Sequence, residues 1–117
     1  MILVPPGVRI LLATQPVDFR KGLDSLAALV QQALRADPFA GDVFVFRSRR
    51  MDRVKLLVFD GTGLRLFSKR LEAGRFCWPS PADGAVRLTA AQLATLLEGL
   101  PWHRLRPRPT RRPSTAW

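Results

Sequence analysis

The spacing of apolar residues changes several times along this chain, and each change marks an element. Val8 to Ala13 is a short apolar, β-rich run bounded by Pro5-Pro6-Gly7 and Thr14-Gln15-Pro16, and it predicts a strand. From Asp18 to Leu34 the period becomes helical: Phe19, Leu23, Leu26, Ala27, Val30 and Leu34 form one stripe. Gly22 weakens the first turns of that helix. Asp37-Pro38 stops it, because the residue before proline is pushed out of the helical region. Three β-rich runs follow at about 43–47, 53–59 and 63–70, the last two joined by Asp60-Gly61-Thr62-Gly63, a tight-turn signature. Connections this short predict antiparallel pairing. Val86 to Leu88 adds a short strand. Thr89-Ala90-Ala91-Gln92 has the form of a capping box, opening a helix with Leu93, Leu96, Leu97 and Leu100 on one side. Gly99 and Pro101 end it.

The predicted order is β-α-β-β-β-(β)-α. It describes an α+β domain with an antiparallel meander sheet of about four or five strands and two helices packed on one face. Residues 1–103 are expected to form this single domain. Residues 104–117, which include Pro-Arg-Pro-Thr-Arg-Arg-Pro and show no apolar period, are expected to be a disordered basic tail.

Charge changes the picture more than size does. Nineteen Lys and Arg stand against nine Asp and Glu, a formal net charge of +10, with a pI near 11.7. That balance makes a polyanion, nucleic acid above all, the leading class of partner. The last fifteen residues carry five Arg and no acid, yet residues 1–102 still hold 14 cations against 9 acids. The densest cationic stretch is Arg47-Ser48-Arg49-Arg50-Met51-Asp52-Arg53-Val54-Lys55, set between two predicted strands. It predicts a β-hairpin with a cationic tip, and the guanidinium fork suits phosphate oxygens.

Further along, Arg53, Lys55, Leu57 and Phe59 share one face of their strand, and Arg65, Phe67 and Lys69 share one face of the next. If these faces coincide on the solvent side, they make a basic, aromatic surface fit for a phosphate backbone with exposed bases. The alternative is a solvated sheet face with Phe59 and Phe67 filling the core, and one residue of register separates the two.

Catalytic chemistry is poorly provided for. Asp37, Asp42, Asp60 and Asp83 fall in turns beside Pro or Gly, where Asp is favoured for backbone reasons. Asp18 and Asp24 lie off each other's helix face. His103 is the only histidine and Cys77 the only cysteine, which argues against a His-based triad, a disulfide or a cysteine zinc site, so neither metal nor cofactor is expected. Gly61-Thr62-Gly63 lacks the helix and Lys-Ser/Thr of a phosphate-binding loop. No run approaches the roughly 20 apolar residues of a membrane span, and nothing resembles a secretory signal. A cytoplasmic location away from any membrane is expected.

Several segments, in order and spacing, resemble one known family: Pro6-Gly7-Val8-Arg9-Ile10, Asp18-Phe19-Arg20-Lys21-Gly22, Asp37-Pro38-Phe39-Ala40-Gly41, Val43 to Arg47, Lys69 to Phe76, and Trp78-Pro79. The set resembles the TnpB-type accessory protein, the second open reading frame, of insertion-sequence family sixty-six, over about residues 4–102. The chain departs from that pattern at Phe59, where Trp is expected, and at Phe19, where Met is usual; both keep a large apolar group. The resemblance implies an accessory role in transposition, beside a separate transposase and a second accessory protein.

The residues and the resemblance together predict a non-catalytic transposition factor that binds DNA or assists transposase assembly. Phosphate contacts are expected from Arg47, Arg49, Arg50, Arg53 and Lys55 on the hairpin. Arg20 and Lys21 at the first helix add to them, and Arg65, Lys69 and Arg70 extend the surface. Two rivals stand beside it: a protein-interaction module that binds the transposase or its partner without touching DNA, and a metal-dependent nuclease.

Overall fold

The computed structural model describes residues 4–82 and 84–104. Five strands, β1 (Ile10–Ala13), β2 (Val43–Arg47), β3 (Arg53–Phe59), β4 (Leu64–Arg70) and β5 (Ala85–Leu88), form one sheet in the order β4-β3-β2-β1-β5. Two helices, α1 (Leu23–Gln32) and α2 (Ala90–Leu97), and a 3-10 turn at Trp102–Arg104 complete it. The α+β class and the element order are as expected. The proposed basic tail, apart from the backbone of Arg104, lies outside the described residues.

The sheet differs from a pure meander at one pair. β2, β3 and β4 are antiparallel neighbours, and β5 runs antiparallel to β1, but β1 and β2 are parallel, with Ile10 opposite Val43 and Leu12 opposite Val45. Between β1 and β2 lies a connection long enough to carry α1, which is what a parallel crossover requires. Arg9 and Asp42 fasten the start of this pair. The Arg9 backbone N–H and guanidinium both donate to the Asp42 carboxylate, the closest contact being 2.7 Å.

The helices lie on opposite faces of the sheet, not on one. Ile10, Leu12, Val43, Val45, Val54 and Leu56 pack with Leu93 and Leu96 of α2, and with Phe76 and Trp102. Ala13, Phe44, Phe46 and Leu57 pack with Leu26, Ala27 and Val30 of α1. The physical reason is in β2: Val43 to Phe46 is apolar at every position, so both of its faces need cover. Strand alternation divides it between the two cores.

Both helices carry their signals. Thr89 and Gln92 form the expected reciprocal capping box on α2. Gly99, at φ 75°, turns the chain out of the helix, which leaves Leu100 beyond it and about half exposed. α1 is shorter than the apolar stripe predicts because Gly22 is its N-cap. The Asp18 carboxylate accepts the Arg20 backbone N–H, making residues 18–20 a turn. Trp78 and Trp102 lock the far core by donating their indole N–H to the Ala13 and Cys77 carbonyls.

Candidate nucleic-acid interface

The cationic tip is a real turn, and several separate segments hold it. Ser48 N–H donates to the Arg53 carbonyl and Met51 N–H to the Ser48 carbonyl, at 3.0 and 3.1 Å. Ser48 Oγ accepts the Arg53 N–H and donates to the Asp52 carboxylate. Met51 takes a left-handed backbone at φ 61°, which costs a non-glycine residue about 1–2 kcal/mol. External bonds supply what the turn lacks. Phe76 N–H donates to the Met51 carbonyl at 2.7 Å, Leu71 N–H to the Asp52 carbonyl at 2.8 Å, and Val17 N–H to the Arg47 carbonyl at 2.9 Å.

Arg47 is part of this brace. It is buried on the α2 side of the sheet, 6% exposed, with Nη1 donating to the Ser48 and Arg49 carbonyls. Its Nε has no partner among the described residues, and burial pushes its proton affinity below the ordinary arginine value. The structure therefore places Arg47 behind the turn, whereas the sequence groups it with the tip.

Arg49, Arg50 and Arg53 are exposed. None of the three forms an ion pair among the described residues. They line a cleft of about 500 Å³ with Ser48 and Asp52 on one wall and Pro16 to Phe19 on the other. The second wall is tied to β3 by Lys55. Its ammonium donates to the Phe19 and Lys21 carbonyls at 2.7 and 2.9 Å and sits over the Phe19 ring. Lys55 is thus a tether rather than a free cation.

The flanking cations differ in availability. Arg20 pairs with Asp18 at 2.6 Å, which holds that carboxylate well below the usual range, chiefly through the guanidinium hydrogen bonds. The Arg20 side chain nevertheless remains 90% exposed. Lys21 is half-buried beside it. Arg70 stands directly opposite Arg53 across β3 and β4 and reaches Glu72 at 3.3 Å. Like charges facing each other in this way are unfavourable unless an anion intervenes.

Register separates the remaining two. Arg65 is opposite Val58 and Lys69 opposite Val54, so both point to the α2 face, while Arg53 and Lys55 point to the α1 face. The combined basic, aromatic sheet surface does not form. Lys69 instead donates to the Leu97 carbonyl at 2.6 Å, at the C-terminus of α2, where a cation complements the helix dipole.

The structure thus gathers Arg49, Arg50 and Arg53, with Arg20, Lys21 and Arg70 around them. It assigns Arg47, Lys55 and Lys69 to structural bonds and places Arg65 on the other face. The Pro16–Phe19 wall and the 71–76 brace had no signal in the sequence, because both depend on long-range contacts. Among the described residues no group of three or more His, Cys, Asp or Glu side chains gathers as a metal site. No described helix is long and apolar enough to cross a membrane.

No solved structure matches the chain. Relatives exist in Sinorhizobium fredii (strain NBRC 101917 / NGR234). The chain is 47% identical to its uncharacterized protein y4jC over 108 residues, 92% of each chain. It is 44% identical to its uncharacterized protein y4hO over 114 residues, 96% of this chain and 97% of the relative. The sequence profile described as IS66 Orf2 like protein matches residues 8–107. The chain belongs to the IS66 Orf2-like family, a membership that associates it with an accessory role in transposition of an insertion sequence.

Proposed function

We propose that this protein is a non-catalytic accessory factor of transposition that binds DNA through phosphate contacts at the braced β2–β3 turn. Arg49, Arg50 and Arg53 are the principal contacts, with Arg20, Lys21 and Arg70 flanking them. The observation that carries this reading is three exposed guanidiniums, without acidic partners among the described residues, on a turn held in one shape by the β1–α1 connection and by residues 71–76. Exposed paired charges contribute little, and free charges on a rigid mount lose less on binding an anion. The cations contact the backbone and set affinity and orientation; they carry no sequence readout by themselves. The protein acts in the cytoplasm, where the element's DNA and its transposase are.

The test is fluorescence anisotropy with labelled duplex ends of the element across a salt series. The plot of log affinity against log salt is expected to be steep. Changing Arg49, Arg50 and Arg53 together to Ala flattens it by about 0.9 for each phosphate no longer neutralised. Deleting residues 104–117 weakens binding without abolishing it, because residues 1–102 keep 14 cations against 9 acids. An unchanged slope in the triple variant, or complete loss on deleting the tail, overturns the assignment to the turn. Metal-dependent cleavage of the same ends by the protein alone overturns the non-catalytic reading.

A further inference from the structure

The opposite end of the same hairpin has a different character. β3 spans about 20 Å from Arg53 to Phe59, and its far end joins β4 through Asp60–Gly63. There the end of the sheet is left open, forming a groove of about 930 Å³ lined by Val58 and Phe67 from the α2 face and by Pro5, Phe39 and Phe59 at the sheet's end, among others. Phe39 and Phe67 are 51% and 42% exposed, and the Phe39 ring meets Phe59 edge to face at 5.4 Å. Aromatic residues are enriched at protein interfaces relative to the rest of the surface.

The groove reaches the sheet's edge, because Arg65, Leu66 and Phe67 of β4 also line it. β4 is the outermost strand, seven residues long, and among the described residues it pairs only with β3. Its free edge offers unpaired backbone groups to an added strand. Residues 64–70 contain Arg65, Lys69 and Arg70 and no acid, and Arg65 forms no ion pair among the described residues.

That charge pattern selects the occupant. A second copy pairing antiparallel about Phe67 would set Arg65 against Lys69, a like-charge contact between two chains that each carry +10. An acidic strand meets the opposite situation. We infer that the β4 edge and its adjoining aromatic groove dock an extended, acidic segment of a partner protein by strand addition. Apolar side chains of that segment enter the groove beside Phe67, and its carboxylates meet Arg65, which lines the same groove. The protein would then hold DNA at one end of β3 and a protein partner at the other.

The probe is a synthetic peptide with a Val-Thr-Val-Thr-Val centre and two Glu at each end, titrated into the full chain by anisotropy and by backbone amide NMR. The expected result is saturable binding with shifts concentrated in residues 64–70. The same peptide with Lys for Glu does not bind, and N-methylation of its central amides abolishes pairing. Phe67→Ser and Arg65→Gln each weaken the peptide about tenfold, as for side chains at the centre of a contact. The Arg49, Arg50 and Arg53 triple variant keeps peptide binding, which separates this site from the proposed DNA site. Should Phe67→Ser melt early, Arg65→Gln and the N-methyl peptide still decide. No binding of the Glu peptide, or binding that survives both β4 changes and disappears in the triple variant, overturns the proposal.

Discussion

The two turns of the β2-β3-β4 meander are built on opposite plans. The β3–β4 turn is self-sufficient. Asp60 accepts hydrogen bonds from the Thr62 and Gly63 backbone N–H groups and from the Thr62 hydroxyl, while its own N–H returns to the Gly63 carbonyl. The β2–β3 turn depends on its surroundings: the Arg47 guanidinium, the Phe76 and Leu71 N–H groups and the Ser48 hydroxyl all hold it. The turn closed by Asp60 displays no cluster of cations. The β2–β3 turn displays three, because its Asp52 carboxylate is engaged by the Ser48 hydroxyl and most of the bonds that fix its backbone come from behind it. The difference locates the candidate DNA contacts at one end of β3 and leaves the other end to apolar chemistry.

Breaking the brace has the largest expected effect. Phe76 is 2% exposed and joins the core under α2, and its N–H holds Met51. Phe76→Ala is expected to cost about 3–5 kcal/mol of stability. It should also weaken DNA binding under conditions where the variant is still folded: the backbone N–H that holds Met51 remains, but the segment presenting it loses its anchor in the core. Urea unfolding together with the anisotropy assay checks both. Full DNA affinity in folded Phe76→Ala would mean that the shape of the turn does not depend on the Phe76 side-chain anchor.

A smaller effect is expected at Arg47, and here two substitutions sharpen the contrast. Arg47→Ala removes a buried stem and the Nη1 hydrogen bonds to the Ser48 and Arg49 carbonyls, an expected loss of about 2 kcal/mol. Arg47→Met keeps the stem and removes a buried cation that has no acidic partner among the described residues, so its loss is smaller. Both should weaken DNA binding only as far as the turn loosens, leaving the salt slope almost unchanged, because Arg47, buried behind the turn, is not among the proposed phosphate contacts. A slope reduced by about 0.9 in folded Arg47→Met would make Arg47 a phosphate ligand and not a brace.

Arg47 also shows where sequence reasoning stops. Strand boundaries, the capping box at Thr89 and the Asp60-Gly61 turn were legible because each depends on neighbours a few residues away. Which cations are free was not, because that depends on residues far along the chain. Lys55 looks like Arg53 in sequence, yet it is spent on carbonyls of residues 19 and 21. Lys69 looks like Arg70, yet it caps α2. The parallel β1–β2 pair and the two-sided cover of the sheet were hidden for a related reason. A fully apolar strand such as Val43 to Phe46 does not state which side each helix will take, although its lack of alternation does signal that both sides are covered.

The smallest effect tests the self-sufficient turn through pH. The Thr62 and Gly63 backbone N–H groups, then the Thr62 hydroxyl, hold the Asp60 carboxyl below its ordinary value. A carboxylate depressed in the folded state adds stability that is fully present above its unfolded value, about 3.9, and is lost as pH falls through the folded value. Asp60→Asn keeps an acceptor oxygen but removes the charge. The variant should therefore be slightly less stable than the parent at neutral pH, with the difference constant above about pH 5 and shrinking below about pH 4. Asp18 is also depressed by its Arg20 pair, but it is present in both proteins and cancels. DNA affinity should not change, because Asp60 lies about 20 Å along β3 from the cationic tip, beyond the screening length of roughly 8 Å at physiological salt. Urea midpoints across the acid range, paired with one anisotropy titration, decide it. A stability difference that stays flat through acid pH would show that the charge of Asp60 does not hold the turn. A DNA effect of Asp60→Asn would show that the two ends of β3 are not independent.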